Sequence, residues 1–288
     1  MPDLAPLDGL GVTAIVLLLL SVLALWTGSR TAIGIAAGAA VVTGYAAGIL
    51  DRPAAIPLLA IAVSAWRLRA TDGWRRAVWL AVTLTLGLLL GLHLLPGFSN
   101  PPVMDDVVLS DGARPYSQHV NFDKTLGAVL LLAGIGWAPI RTSQDWRTAL
   151  GLTLPLLAIV AGAVMAASLA LGFVRVDPHW SPLFWIWAPI NLLTTCVSEE
   201  TFFRGLLQEE VRRAAPPRHA TAVAVTTSAL LFGVAHAAGG WRYVLLATLA
   251  GAGYASAYAR TGRLEMAILT HFIVNAVHFL LFTYPALA

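Results

Sequence analysis

Long apolar runs separated by short polar breaks fill almost the whole chain. Ten such runs can be drawn, at about 9–28, 32–50, 54–66, 77–95, 125–140, 149–173, 183–203, 220–236, 243–259 and 264–284, against the roughly 20 apolar residues a helix needs to cross a bilayer. They predict an all-α fold, a polytopic transmembrane bundle of about ten spanning helices. The third run is short and contains Pro57; without it, every helix before it would invert. The single long break, 96–123, is rich in Pro, Asn and Asp. A solvated connector is expected there rather than a structured cap or a substrate-contacting loop.

Composition agrees with the pattern. Only 11% of residues are charged, 58% are hydrophobic and the mean hydropathy is +0.76, whereas soluble domains carry about 25% charged residues. One cysteine excludes a disulfide framework within the chain. The first apolar run follows Asp3 and Asp8 with no basic residue, the wrong flank for a cleaved signal peptide, so it reads as a retained helix. The basic residues are 17 Arg and one Lys, scattered over short loops. The net charge of +3 is therefore no nucleic-acid footprint, and no nucleic-acid partner is expected. With the N-terminus outside, the inner loops hold 12 basic residues and the outer loops five (Arg52, Arg114, Lys124, Arg175 and Arg242), the bias of the positive-inside rule. Both termini then lie outside. The abundance of Ala hints at a GC-rich genome, and a bacterial cytoplasmic membrane is the expected location.

Gly34/Gly38, Gly87/Gly91 and Gly251/Ala255 give small-xxx-small spacings, expected to pack helices within the chain. Trp180, Trp185, Trp187 and Trp241 fall near helix ends, where interface anchors belong. No internal repeat is evident, which weakens a reading as an inverted-repeat transporter.

The chemistry concentrates in the seventh run, Val197-Ser198-Glu199-Glu200-Thr201-Phe202-Phe203-Arg204-Gly205. A carboxylate at the bilayer centre costs roughly 2.5–3.5 kcal/mol even on a lenient scale, so these charges must face protein or a wet cavity. Glu200 and Arg204 are spaced i,i+4 with the acid first, the favoured orientation for a helical ion pair. Glu199 points about 100° away and lacks that partner, so it is the available carboxylate. Two later runs carry Phe232 with His236, and His271 with Asn275. A single histidine in a spanning helix is more often packed than catalytic, so what matters is whether these residues meet. Pro216-Pro217 marks a hairpin turn. Glu199 and His236 stand about 24–26 Å from it on either side. If Gln208 to Arg218 protrudes into the cytoplasm, both reach the membrane middle, and His271 and Asn275 lie at a comparable depth.

Glu-Glu-x-x-x-Arg, then Phe-x-x-x-His, then His-x-x-x-Asn, in that order on successive apolar segments, resembles the CAAX protease and bacteriocin-processing (CPBP) family of intramembrane endopeptidases, which includes the type II CAAX prenyl proteases. The likeness covers about 145–285. It suggests an N-terminal part, 1–124, of helices plus the 96–123 loop, and a protease core, 125–288. The resemblance implies a hydrolase cleaving a peptide bond of a membrane-anchored protein or peptide in contact with the lipid bilayer. It implies Glu199 as general base activating water with His236, Glu200 and Arg204 as supporting ion pair, Phe232 as a supporting residue, and His271 and Asn275 as oxyanion stabilisers. No cofactor is expected. In a metallo-type variant, Glu199, His236 and His271 would be the zinc ligands, although no His-Glu-x-x-His pair is present. His278 reads as a packed histidine, and Cys196 as a small buried hydrophobe. The competing readings are an ion- or proton-coupled transporter using the buried Glu/His cluster and an inactive relative that binds membrane partners.

The arginine bias makes a direct prediction. Reporter fusions at Asp111 and Arg213 should report opposite sides of the membrane, and the same side for both would break the ten-helix topology.

Overall fold

A computed structural model describes residues 7–288; Asp3 lies outside them. The fold is all-α, and each of the ten predicted runs is helical. Helices α1 (Gly9–Ala24), α2 (Arg30–Ala46), α3 (Ala55–Ala70), α4 (Gly73–Gly91), α5 (Phe122–Ile135) and α6 (Ser143–Ala170) come first. The seventh run is a continuous helical stretch, 184–214. It is made of α7 (Phe184–Ile190), a π-helix at Asn191–Cys196, α8 (Val197–Glu200), a second π-helix at Thr201–Gln208, and α9 (Glu209–Ala214). The chain closes with α10 (Ala220–Ala235), α11 (Trp241–Thr261) and α12 (Leu264–Leu281). Among the described residues four helices are long and apolar enough to cross a membrane: Gly9–Thr27 (α1 with the turn after it), α4, α6 and α12. Together with the family match reported below, they make this an integral membrane protein.

Two compact units interleave along the chain. The first comprises 1–105, 117–139 and 189–202; the second comprises 106–116, 140–188 and 203–288. In the first, α1 packs on α2, α3 on both α4 and α5, and α5 on the 189–202 segment. Close approach depends on missing side chains. A Cβ at Gly87 would strike the Phe202 ring at 2.7 Å, and one at Gly127 would strike Leu90 at 2.8 Å. Gly34 and Gly38, by contrast, face open space; the expectation that this pair packs two helices of the chain together is not met.

The second unit is built around α11, which packs on α6, α10 and α12. Gly253 accepts Val160 of α6, and Gly233 of α10 leaves room for Thr248 of α11. Glu265, in the first turn of α12, is buried and accepts a hydrogen bond from the Ile140 backbone N–H at 2.6 Å, fixing the start of the helix that carries His271. Beside it, Ile140, Ala149, Ala257 and Met266 form a buried apolar cluster with Trp146 against it.

The long break departs from expectation. Instead of a solvated connector, it holds a two-stranded sheet, β1 (Pro102–Val107) with β2 (Tyr116–His119), and buries Val103, Met104, Val107 and Val120. Burial along β1 does not alternate: adjacent Val103 and Met104 are buried and adjacent Asp105 and Asp106 exposed, with Asp106 in the left-handed region at φ +56°. Ala113 bridges to Leu287, and burial pushes the Tyr116 hydroxyl above its ordinary pKa against the opposing effect of its hydrogen bonds to Tyr284 and Trp187. At the end of the break, buried Asp123 accepts from Asn100 Nδ2 at 2.9 Å and pairs with His93 at 2.6 Å. Asn100 Oδ1 accepts from the Phe122 N–H at 2.8 Å. This network fixes the first turn of α5, where an acidic group also complements the helix dipole.

Trp180, Trp185 and Trp241 are exposed, as anchors should be, but Trp187 is fully buried and donates to the Tyr284 hydroxyl at 3.1 Å. Its neighbours in the chain gave no sign that it would be drawn inward.

Candidate functional site

The helical run 184–214 determines where the acidic motif sits. It leaves α geometry directly after Pro189, whose ring lacks an N–H and crowds the carbonyl four residues earlier. The motif arginine then lies in the second π-helix, Thr201–Gln208. Such i→i+5 segments are rare and concentrate at functional sites. They also replace the 3.6-residue period on which the i,i+4 spacing of Glu200 and Arg204 was judged.

In the first unit, Glu199 and Glu200 occupy different surroundings. Glu200 is 0% exposed, whereas the Glu199 side chain keeps 18% of its surface. Glu199 has a charged partner that comes from another helix, α5, and not from its own. Lys124 Nζ donates to its Oε1 at 3.1 Å, with 11% of the lysine side chain exposed. Lys124, expected in an outer loop, lies in the first turn of α5, next to the Asp123 network. Cys196 is fully buried and its thiol donates to Asn191 Oδ1 at 3.4 Å, as a small packed residue would.

In the second unit, Arg204 is 0% exposed. Its Nη2 donates to the Gly251 carbonyl at 2.8 Å, and its Cζ lies 4.6 Å from the Phe232 ring, 5.4 Å from Tyr254 and 5.7 Å from Phe203. Ring faces and a carbonyl oxygen supply the negative potential a buried guanidinium requires. One turn on, Gln208 Nε2 donates to the Ala255 carbonyl at 2.9 Å and is buried, so the polar, protruding part of the run starts after Gln208. There the carboxylate of Glu209 meets Arg212 and Arg213; burial raises its pKa, but hydrogen bonds from the two arginines outweigh this and hold it below the usual range. The small-residue spacing Gly251/Ala255 is thus explained. It opens the α11 backbone so that two successive carbonyls receive two side chains, and a Cβ at Gly251 would lie 3.0 Å from Phe232.

Phe232 is the hub of this cluster. Its ring centroid is 4.5 Å from His236 and 5.8 Å from His271, edge to face with the latter. His271 is buried and stacks on Tyr254 at 4.5 Å. His236 closes the end of α10, and its Nδ1 lies 2.7 Å from the Phe232 carbonyl. A carbonyl only accepts, so Nδ1 is the donor in this contact. With 16 residues, α10 is about 24 Å long and shorter than the roughly 30 Å hydrocarbon core. His236 therefore caps a short helix rather than sitting midway along a spanning one. Asn275, one turn beyond His271 on α12, is half-buried. His278 Nε2 donates to the Thr283 carbonyl at 3.3 Å, a packed histidine.

The structure thus gathers Arg204, Phe232, His236 and His271 around one ring cluster in the second unit, while Glu199 and Glu200 belong to the first. The sequence reading missed Lys124, Gln208 and Tyr254. The one available signal was that Lys124 is the only lysine among 18 basic residues. Among the described residues, no three His, Cys, Asp or Glu side chains gather as a metal site requires.

Residues 180–277 match the family model described as type II CAAX prenyl endopeptidase Rce1-like, and all seven motif residues fall inside that interval. No curated protein and no solved structure matches the chain significantly.

The guanidinium geometry generates a prediction. A lysine at 204 cannot reach the Gly251 carbonyl while lying flat on the Phe232 face. Arg204→Lys should lower unfolding stability by about 1.5–3 kcal/mol, the usual worth of a hydrogen bond to a charged group. Denaturation in detergent would measure it, and an unchanged midpoint would show that the cage is not stabilising.

Proposed function

From the match of residues 180–277 to the type II CAAX prenyl endopeptidase Rce1-like model, we propose an intramembrane endopeptidase that hydrolyses a peptide bond of a membrane-anchored protein or peptide, with Glu199 as general base. The observation that supports Glu199 over Glu200 is their exposure. Glu199 keeps 18% of its side-chain surface and Glu200 keeps none; a base must reach water. Lys124 Nζ at 3.1 Å fixes the direction of the Glu199 carboxylate.

Glu199 takes a proton from water as the oxygen attacks the scissile carbonyl. Negative charge moves to the carbonyl oxygen, which accepts hydrogen bonds from His271 and Asn275. The proton then passes to the leaving nitrogen as the C–N bond breaks. His236, its ring oriented by the contact of Nδ1 with the Phe232 carbonyl, assists the water. Arg204 and Phe232 hold the histidine rings in place. Removing one oxyanion donor in comparable sites costs about 10²–10³ in rate. Glu200 is a structural charge. The reading places the protein in a bacterial cytoplasmic membrane with both termini outside, and it needs no cofactor.

Two sets of variants test it. Glu199→Gln keeps the volume and removes the basicity, so single-turnover cleavage in reconstituted membranes should be abolished with the melting temperature unchanged. Glu200→Gln should lower melting temperature and activity together, because neutralising a fully buried carboxylate disturbs groups that were arranged around its charge. Substantial cleavage by Glu199→Gln, with a stable but inactive Glu200→Gln, would reverse the roles.

Lys124 yields the other test. Lys124→Met should lower kcat at least ten-fold with KM little changed, and Lys124→Arg should restore part of it by returning the cation. Equal kcat in all three proteins would separate Lys124 from the reaction.

A further inference from the structure

The first unit contains a groove that the proposed reaction does not use. It lies among α2, α3 and α5, with a volume of about 580 Å³, within the roughly 300–1,000 Å³ typical of ligand sites. Ile33, Ala37 and Leu130 give it apolar walls. Its rim at one end carries Arg30, Arg69 and Trp66. Arg30 opens α2, Arg69 lies in the last turn of α3, and Gly134 in the last turn of α5 also lines the groove. The N-terminal end of α2 and the C-terminal ends of α3 and α5 therefore meet at this rim. It is the end to which the arginine bias assigns the cytoplasm.

Three features indicate what fills it. Both rim arginines are exposed, and among the described residues no carboxylate pairs with either. Arg69 is held at the rim by its approach to Gly136, whose φ of +74° needs a glycine and whose missing side chain leaves room for the guanidinium. Gly34 and Gly38 leave open space beside α2, which none of the chain's own side chains occupies. Trp66 is exposed at the rim, at the level where an indole meets headgroups.

We propose that this groove binds one anionic phospholipid, its phosphate on Arg30 and Arg69 and one acyl chain along the apolar wall past Gly34. Guanidinium forks match phosphate oxygens in a bidentate way. Basic pockets between spanning helices on the cytoplasmic side are where anionic headgroups bind. The apolar wall alone would accept any lipid; the two unneutralised arginines select the anionic class. Each arginine near the surface is worth about five-fold in affinity, so the pair should favour an anionic over a zwitterionic lipid by about 25-fold.

Native mass spectrometry of the detergent-purified protein, with phosphatidylglycerol or phosphatidylcholine of identical acyl chains added, tests this. The wild-type protein should keep one phosphatidylglycerol at concentrations where phosphatidylcholine is lost. Arg30→Gln/Arg69→Gln should retain both lipids equally. Gly34→Leu should lose both, because it fills the groove while leaving the charges in place. Nothing lies within 4 Å of a Cβ at Gly34, and leucine is the better helix former, so this variant keeps the test open if the double variant fails to fold. Arg75→Gln, a control at an exposed arginine over Trp74 outside the groove, should behave as wild type. Equal retention of the two lipids by the wild-type protein would overturn the proposal. So would phosphatidylglycerol retention that survives both groove variants. A lipid-free dimer that Gly34→Leu disperses would also overturn it, and would assign the open α2 face to a second copy of the chain.

Discussion

A guanidinium buried with no exposed surface is the constraint on which the second unit depends. Arg204 cannot be solvated, so the protein surrounds it with the Phe232, Tyr254 and Phe203 faces and the Gly251 carbonyl. Each of those groups has a further use. Phe232 touches both motif histidines, Tyr254 stacks on His271, and Gly251 lets α11 approach closely enough to offer its backbone. The residues that solve the electrostatic problem of the arginine are thus the residues that orient the imidazoles. That economy explains why a charge that is expensive at this depth is kept.

A corresponding chain of dependence holds Glu199 in the first unit. Asn100 and His93 fix Asp123, Asp123 stands at the start of α5, and the next residue, Lys124, reaches the Glu199 carboxylate. The polar break between α4 and α5 is therefore a buttress. Glu199, inside the family-matched interval, is oriented by a lysine outside it, so the N-terminal half of the chain helps to position the acidic motif.

Membrane immersion explains why so many of these contacts rest on small residues. Lipid is as apolar as leucine, so helices gain little from hiding apolar surface and associate by close packing and hydrogen bonds instead. Gly87, Gly127, Gly233, Gly251 and Gly253 all lie where a side chain would collide with a neighbouring helix. Gly34 and Gly38 share the spacing without the contact, which shows that a small-xxx-small pattern permits approach and does not compel it.

The sequence by itself determined the all-α class, the existence and approximate limits of ten helical segments, the resemblance carried by residues 180–277, and the buried polar motif. Apolar run length and the rarity of intramembrane charge are local properties that no tertiary contact can erase. It also located Gly251 as a packing position. It could not give the π-helical turns around the motif, because these depend on how a proline-interrupted helix is held by its neighbours. It could not foresee that Trp187 and Gln208 turn inward, since an end-of-helix position suits an anchor and a core residue equally. It read Lys124 as a loop charge and Glu199 as a carboxylate without a partner on its own helix, and their separation by 75 positions put their pairing beyond any local pattern. The order in the 96–123 segment was hidden because its strands are short and β1 does not alternate, while part of its support comes from Leu287 and Tyr284, far along the chain. Only the packed structure decides which polar groups meet, because a buried charge is stabilised by whatever the fold brings within 3 or 4 Å of it.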